Sequence, residues 1–242
     1  MNRGQSSLTT IFCKRTKAPP GTADADCIAY CANTGFPYLC KSALDDPQLP
    51  AREWICTHLG IACGLPVADC AVVTIEGRSD LLFGSKWQGG TESYAIALPQ
   101  VMNPTVFSGT FAFDLTSNNG DRHLNNYLYL RVNGEILIML IDFSRALNFD
   151  GWPMAALPMP ASANTMRGVV CWSNFHPFTR AEADQIISVW NSLPDSKMAD
   201  ILAPIPEEWM GQAERDILIA WWSSDARRVR GEEAKRNLPW VS

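Results

Sequence analysis

Between Asp114 and Asn126 the chain reads Asp-Leu-Thr-Ser-Asn-Asn-Gly-Asp-Arg-His-Leu-Asn-Asn, a polar run that any fold has to accommodate. Carboxylates, carboxamides, an arginine and a histidine crowd one turn-rich loop immediately before the apolar run Tyr127-Leu-Tyr-Leu. Asn133-Gly134 then separates the strand predicted over Tyr127–Val132 from a second over Ile136–Ile141. Asn-Gly between apolar runs is a strong hairpin signal, because both residues tolerate the positive φ of a type I′ turn. The second strand delivers a further aspartate in Ile141-Asp142-Phe143. A hydrophobic core has no use for such a cluster, so it reads as a nucleotide and metal site.

The rest of the composition is compatible with a well-packed protein. Of 242 residues, 47% are hydrophobic and 19% charged, enough for one large domain or two small lobes. A formal net charge of −5 argues against a direct nucleic-acid footprint. Two basic spots, Lys14-Arg15-Thr16-Lys17 and Arg227-Arg228-Val229-Arg230, read as a tail and as the solvated face of a helix. The eight cysteines read as reduced and buried, most of them among apolar neighbours such as Ile55-Cys56, Ala62-Cys63 and Val170-Cys171. Cys27-x-x-x-Cys31 has neither a second pair nor a spaced histidine to complete a zinc site. Residues 1–17 lack the apolar core of a secretory signal, and the run Ile136–Ile141 is far shorter than the ~20 residues of a membrane span. The expectation is a cytoplasmic protein without a membrane span.

Along the chain, residues 1–20 read as a flexible polar tail ending at Pro19-Pro20-Gly21. Cys27–Ala32 reads as a strand or short turn, Asn33-Thr34-Gly35 as a turn, and Phe36–Lys41 as a strand ending on a lysine. A helix is predicted over Ala51–Cys63, with prolines in its first turn and Gly64 ending it. Val67–Ile75 and Asp80–Trp87 follow as strands around the turn Glu76-Gly77-Arg78. Residues 21–90 therefore form a small sheet-plus-helix lobe, Gln88–Thr91 a linker, and residues 91–242 a mostly helical lobe: an α+β, two-lobed architecture. Ala95–Met102 and Thr110–Leu115 read as helical or mixed, and Gly151–Ala163 as an irregular loop. Helices are predicted over Thr179–Ser192, with Thr179-Arg-Ala-Glu182 as a capping box, over Asp195–Leu202, and over Pro206–Arg230. That last helix has Trp209, Ile217, Leu218, Trp221 and Trp222 on its apolar side. Asn118 and Asn119 read as turn formers, and His58 and His176 as structural.

Phosphoryl transfer needs a lysine for the phosphates, a glutamate to hold it, oxygen ligands for Mg²⁺ and an aspartate for the attacking hydroxyl. The order Asp121-Arg122-His123-x-x-Asn126 followed by Ile141-Asp142-Phe143 resembles the catalytic and metal motifs of HipA-like kinases and of phosphoinositide lipid kinases. Both write the loop Asp-x-His-x-x-Asn, whereas ordinary protein kinases place His-Arg before the aspartate. Leu39-Cys-Lys41, Glu53 on a helix, Leu65-Pro-Val67, Ile205-Pro-Glu-Glu-Trp209 and the arginine-bearing last helix are also similar to small bacterial HipA-like families. The likeness spans roughly Phe36 to Arg230, with its specific part between Asp121 and Asp142.

That resemblance implies a kinase-like fold and an ATP- and Mg²⁺-dependent kinase acting on serine or threonine of an unidentified protein. Asp121 would be the catalytic aspartate, with His123 near the γ-phosphate. Asn126 and Asp142 would hold Mg²⁺, Lys41 would contact the ATP phosphates, and Glu53 would pair with Lys41. Lys86 is a rival for the lysine, but only Lys41 precedes a glutamate-bearing helix. Asp80–Trp87 would lead to the hinge where backbone meets adenine. No Gly-x-Gly-x-x-Gly run precedes Lys41. Two other functions fit the loop, a small-molecule or lipid-headgroup kinase and a nucleotide-binding pseudokinase acting as an interaction module. The intact Asp121, Asn126 and Asp142 argue against the pseudokinase, and the lack of a basic amphipathic surface argues against a lipid substrate. There is no helix-turn-helix, so a DNA-binding regulatory partner would be a separate chain.

Overall fold

Small side chains allow five strands to close into a narrow barrel. A computed structural model of the chain describes residues 10–19, 24–87, 91–148 and 157–239. Strands β1 (Thr10–Lys17), β2 (Cys27–Cys31), β3 (Pro37–Lys41), β4 (Cys70–Ile75) and β5 (Leu82–Lys86) are ordered β1-β2-β3-β5-β4, and β1 closes the barrel by pairing parallel to β4. Barrel width falls with strand number, and the interior is filled by Cys13, Cys27, Ala29, Cys31, Cys40 and Ala71 with a few branched residues. The thiols here act as small hydrophobes. All eight cysteines are free, but Cys171, expected to be buried, is exposed.

Helix α1 (Leu49–Ala62) packs against β5 of the barrel and against a helix of the remaining chain that contains Ile201. Pro50 sits in its first turn and Gly64, at φ +85°, turns the chain out of it. It is buried on most sides, so even Arg52 and Glu53 are enclosed, and Trp54 donates to the carbonyl of Ile201 at 2.9 Å.

A second sheet of β6 (Thr91–Glu92), β7 (Tyr127–Val132) and β8 (Glu135–Leu140) follows. Asn133 and Gly134, at φ +52° and +89°, make the expected hairpin turn. The helices are α2 (Tyr94–Ala97), α3 (Thr105–Ser117), α4 (Asn164–Ser173), α5 (Arg180–Ser192), α6 (Ser196–Leu202), α7 (Gln212–Trp222) and α8 (Asp225–Arg236). Around α3 the large core is aromatic: Phe113 meets Phe143 and Trp190 edge-on at 5.8 and 5.9 Å, and Trp190 meets Trp222 at 5.1 Å. The mixture of sheet and helix agrees with the α+β expectation.

Several expectations need correction. Thr10–Lys17 is a strand rather than part of a tail, while residues 1–9 and 20 lie outside the described residues. The strand predicted from Val67 starts at Cys70, and Val67 instead makes an isolated parallel bridge to Leu140. Of the predicted linker, residues 88–90 lie outside the described residues and Thr91 already pairs in β6. Of the predicted irregular loop, residues 151–156 also lie outside them. Asp114 belongs to α3 rather than to a loop; the helix ends at Asn118, in the left-handed conformation at φ +55°.

The predicted final helix is two. Ser224 caps the second by accepting from the amide of Ala226, Trp209 precedes both, and Ile217 faces solvent. Thr179 does stand before α5, but its side chain makes no capping bond. Arg227 and Arg230 are buried, not solvated, because they donate to the carbonyls of Leu193 and Leu115 at 2.8 and 2.7 Å.

Candidate active site

Three charged side chains meet where the barrel faces the second sheet. Lys41 ends β3, Glu53 lies one turn into α1, and Asp142 follows β8. Lys41 Nζ donates to Glu53 Oε1 at 2.5 Å and to Asp142 Oδ1 at 2.9 Å. Glu53 Oε2 accepts the amide of Phe143 at 2.9 Å, so the glutamate holds both the lysine and the backbone beside Asp142. Asp142 itself has φ +64°, a conformation unfavourable for a residue with a side chain and characteristic of sites that a surrounding network over-determines.

Burial acts on this trio first. It would push the Lys41 ammonium down, but the neighbouring carboxylates of Glu53 and Asp142 outweigh it and hold the ammonium above its ordinary value. Burial would raise Asp142, yet Lys41 and the hydrogen bonds from Lys41 and Ser144 hold it well below the usual carboxylate range. For the wholly enclosed Glu53 burial wins over the pull of Lys41, and its carboxyl is pushed up to about 7.

The polar loop is braced by an arginine that sequence reasoning passed over. Arg122 is buried, donates to Asp114 Oδ2 at 3.0 Å, and reaches the carbonyls of Asn126 (3.1 Å) and Ile141. One guanidinium thus ties α3 to the backbone at Asn126 and next to Asp142, using the fork of donors that lysine lacks. Ile141 donates to the Asn126 carbonyl at 3.2 Å, so the two predicted metal residues stand on adjacent backbone segments. Asn119, read as a turn former, is almost fully buried and donates to Asp114 Oδ1 at 2.9 Å. The nearest signal in the sequence was the eight-residue spacing of Asp114 and Arg122, which is uninformative without the turn between them.

Lys41, Glu53, Asp121, His123, Asn126 and Asp142 all line one cleft of about 350 Å³, together with Phe83, Ser85, Lys86 and Trp87 on its barrel side. The sequence-predicted residues are therefore brought together. Lys86 stands apart from the Lys41, Glu53 and Asp142 trio, 3.9 Å from Asp69 and with its ammonium over the Phe36 ring. His58 and His176 bond to the carbonyls of Trp54 and Leu98, as structural residues do.

The open atoms of the cleft are informative. Asn126 Nδ2 donates to the Asp121 carbonyl at 3.0 Å, which orients the carboxamide and leaves Oδ1 without a partner among the described residues. Asp142 Oδ1 takes every bond found at that carboxylate, leaving Oδ2 open. His123 Nδ1 is buried and lacks a hydrogen-bond partner. No group of three His, Cys, Asp or Glu able to hold a metal exists among the described residues. A carboxamide oxygen and one carboxylate oxygen suit a hard cation that draws its other ligands from water and phosphate.

Comparisons with known proteins bear on the family and the fold. A family model described as HipA-like kinase matches residues 29–229. The chain belongs to the HipA-like kinase family. Among solved structures, the Helicobacter pylori proinflammatory kinase CtkA superposes with a TM-score of 0.62 at 14% identity, covering 95% of this chain and 98% of that one. HipA of the Shewanella oneidensis toxin–antitoxin system, solved with HipB and operator DNA, gives a TM-score of 0.47 at 10% identity over 88% of this chain and 58% of its own. No curated protein matches the sequence. At such identities the CtkA likeness speaks for the fold alone, and the kinase assignment of this HipA-like chain rests on the family match. No helix among the described residues is long and apolar enough to cross a membrane.

Proposed function

We propose that the chain is an ATP- and Mg²⁺-dependent kinase that phosphorylates serine or threonine of a protein. Residues 21–90, joined by β1, would form its small lobe and residues 91–242 its mainly helical lobe, with the cleft between them. One observation carries this reading: Lys41, Asn126 and Asp142 converge on a single cleft in which a carboxamide oxygen and a carboxylate oxygen have no partner among the described residues.

ATP with Mg²⁺ supplies the phosphoryl group and the neutralisation of charge that its transfer requires. Lys41, kept charged by its two carboxylates, would hold phosphate oxygens, and the open His123 Nδ1 would serve the same end of the nucleotide. Asn126 Oδ1 and Asp142 Oδ2 would hold the metal, fixed through Arg122. Asp121 would orient the acceptor hydroxyl and take its proton on a carboxylate oxygen. Phe83 to Trp87 would form the wall against the adenine. Membership of the HipA-like kinase family supports a protein acceptor.

Phosphosite mass spectrometry of a cell lysate incubated with the protein and ATP·Mg²⁺ tests this. New phosphoserine or phosphothreonine sites are expected with the wild type and not with Asp121→Asn. Equal phosphorylation by both would remove Asp121 from the catalytic role.

A further inference from the structure

We propose that Asn164 is a positioning residue that sets the orientation of the Asp121 carboxylate; the inference rests on the kinase reading of the site. Asn164 is the first residue of α4, and its Nδ2 donates to Asp121 Oδ1 at 2.5 Å. A carboxylate can only accept, so the amide nitrogen is the atom that faces it. Asp121 is fixed at three points: its amide donates to Asn119 Oδ1 at 3.3 Å, its carbonyl accepts from Asn126, and its Oδ1 is taken by Asn164. Its other carboxylate oxygen accepts no bond from the described residues, and Asp121 lines the cleft. One oxygen is thus anchored and the other is left for a hydroxyl.

The bond is not needed to attach the helix. Thr165, the next residue, already binds the loop: its hydroxyl donates to the Asn119 carbonyl at 2.5 Å and accepts the Arg122 amide at 2.9 Å, and its own amide donates to the Gly120 carbonyl at 3.2 Å. The backbones approach closely as well, since a Cβ on Gly168 would lie 3.0 Å from the Arg122 carbonyl oxygen. With the helix seated in this way, the Asn164 amide is left with one distinct task, which is to hold a carboxylate.

The test is the kinetics of phosphoryl transfer for Asn164→Ala, Asn164→Asp and Asn164→Ser, with Asp121→Asn alongside. Loss of the anchor lets the carboxylate rotate, and misplacement on that scale lowers kcat by about 10- to 100-fold. We expect that loss in Asn164→Ala with KM for ATP within about twofold of wild type, because the lysine and metal residues are untouched. Asn164→Asp keeps the shape but sets a carboxylate against a carboxylate, so it is expected to be slower than alanine. Asn164→Ser keeps a donor and is expected to recover part of the alanine loss; it carries the test if the aspartate variant fails to fold. An unchanged kcat in Asn164→Ala, serine no better than alanine, or a folded aspartate variant nearest to wild type overturns the positioning role. An inactive wild type, or an Asp121→Asn as active as wild type, instead brings down the kinase reading and the inference with it.

Discussion

Glu53 is a carboxylate enclosed in protein beside an ammonium, and its environment gives it an unusual relation to pH. In the unfolded chain it loses its proton near 4.5, whereas in the folded protein it keeps it to about 7. Between those values the folded state binds more protons than the unfolded state, so this residue's contribution to stability falls as pH rises through the window and is constant above it. Asp142 acts at the other end. Held well below the usual carboxylate range, it adds stability that is complete above 3.8 and is lost only as pH falls through its folded value. Of these two carboxylates, Glu53 is the one that acts between 4.5 and 7. Glu53→Gln, neutral at every pH, should remove a decline on the order of 2 kcal/mol between pH 5 and pH 7.5. Urea denaturation of both proteins at the two pH values measures this, and parallel pH slopes would refute it. Above pH 7 the ionised glutamate is the one that pairs with Lys41, so the site is electrically complete on the alkaline side of that window.

The barrel is the element with the least tolerance. Gly84 of β5 faces Val73 and Tyr38 so closely that a Cβ would overlap Val73 and lie 3.3 Å from Tyr38 Cβ. Neighbouring strands on both sides leave no direction for relief, and overpacking of this kind costs about 1–3 kcal/mol. Gly84→Ala should lower stability by that amount in chemical denaturation; an unchanged midpoint would show that the barrel can widen. The same elements explain what was legible in the sequence. The Asn133-Gly134 hairpin and α1 were readable because turn chemistry and helix ends are local. The grouping of Lys41, Glu53, Asp121, Asn126 and Asp142 in one cleft was expected from the resemblance to HipA-like kinases. Strand β1 was not readable: only Ile11 and Cys13 point inward before four exposed residues, and its partner β4 lies far along the chain. Helix α3 is buried on nearly every side, so its apolar residues show no period and Asp114 looked like part of the loop it braces. Arg227 and Arg230 looked solvated because the carbonyls they satisfy lie more than thirty residues away. The break before α8 did carry a local signal, Ser223-Ser224-Asp225, which suits a helix N-terminus.

At the scale of the whole molecule, the candidate site draws on distant parts of the chain: Lys41 from the barrel, Glu53 from α1, Asn126 from just before β7 and Asp142 from just after β8. Ser144 and Arg145 add a crossing outside these, reaching Asp24 at 2.9 and 3.3 Å from the segment just before β2. A ligand that engages all of these groups binds only the folded chain, and at a hundred times its dissociation constant it adds about 2.7 kcal/mol to stability. Calorimetry should therefore show a clear rise in melting temperature with ATP and Mg²⁺ together, larger than with ATP alone. Asp142→Ala removes the carboxylate that would hold the metal and also one partner of Lys41, so its unliganded melting temperature should fall. The metal-dependent part of the rise should disappear in that variant, while a smaller response to ATP remains through Lys41, which Glu53 still holds. A rise with ATP·Mg²⁺ of equal size in Asp142→Ala and wild type would place the metal elsewhere. No rise in the folded wild type would separate the fold of this kinase family from its nucleotide chemistry.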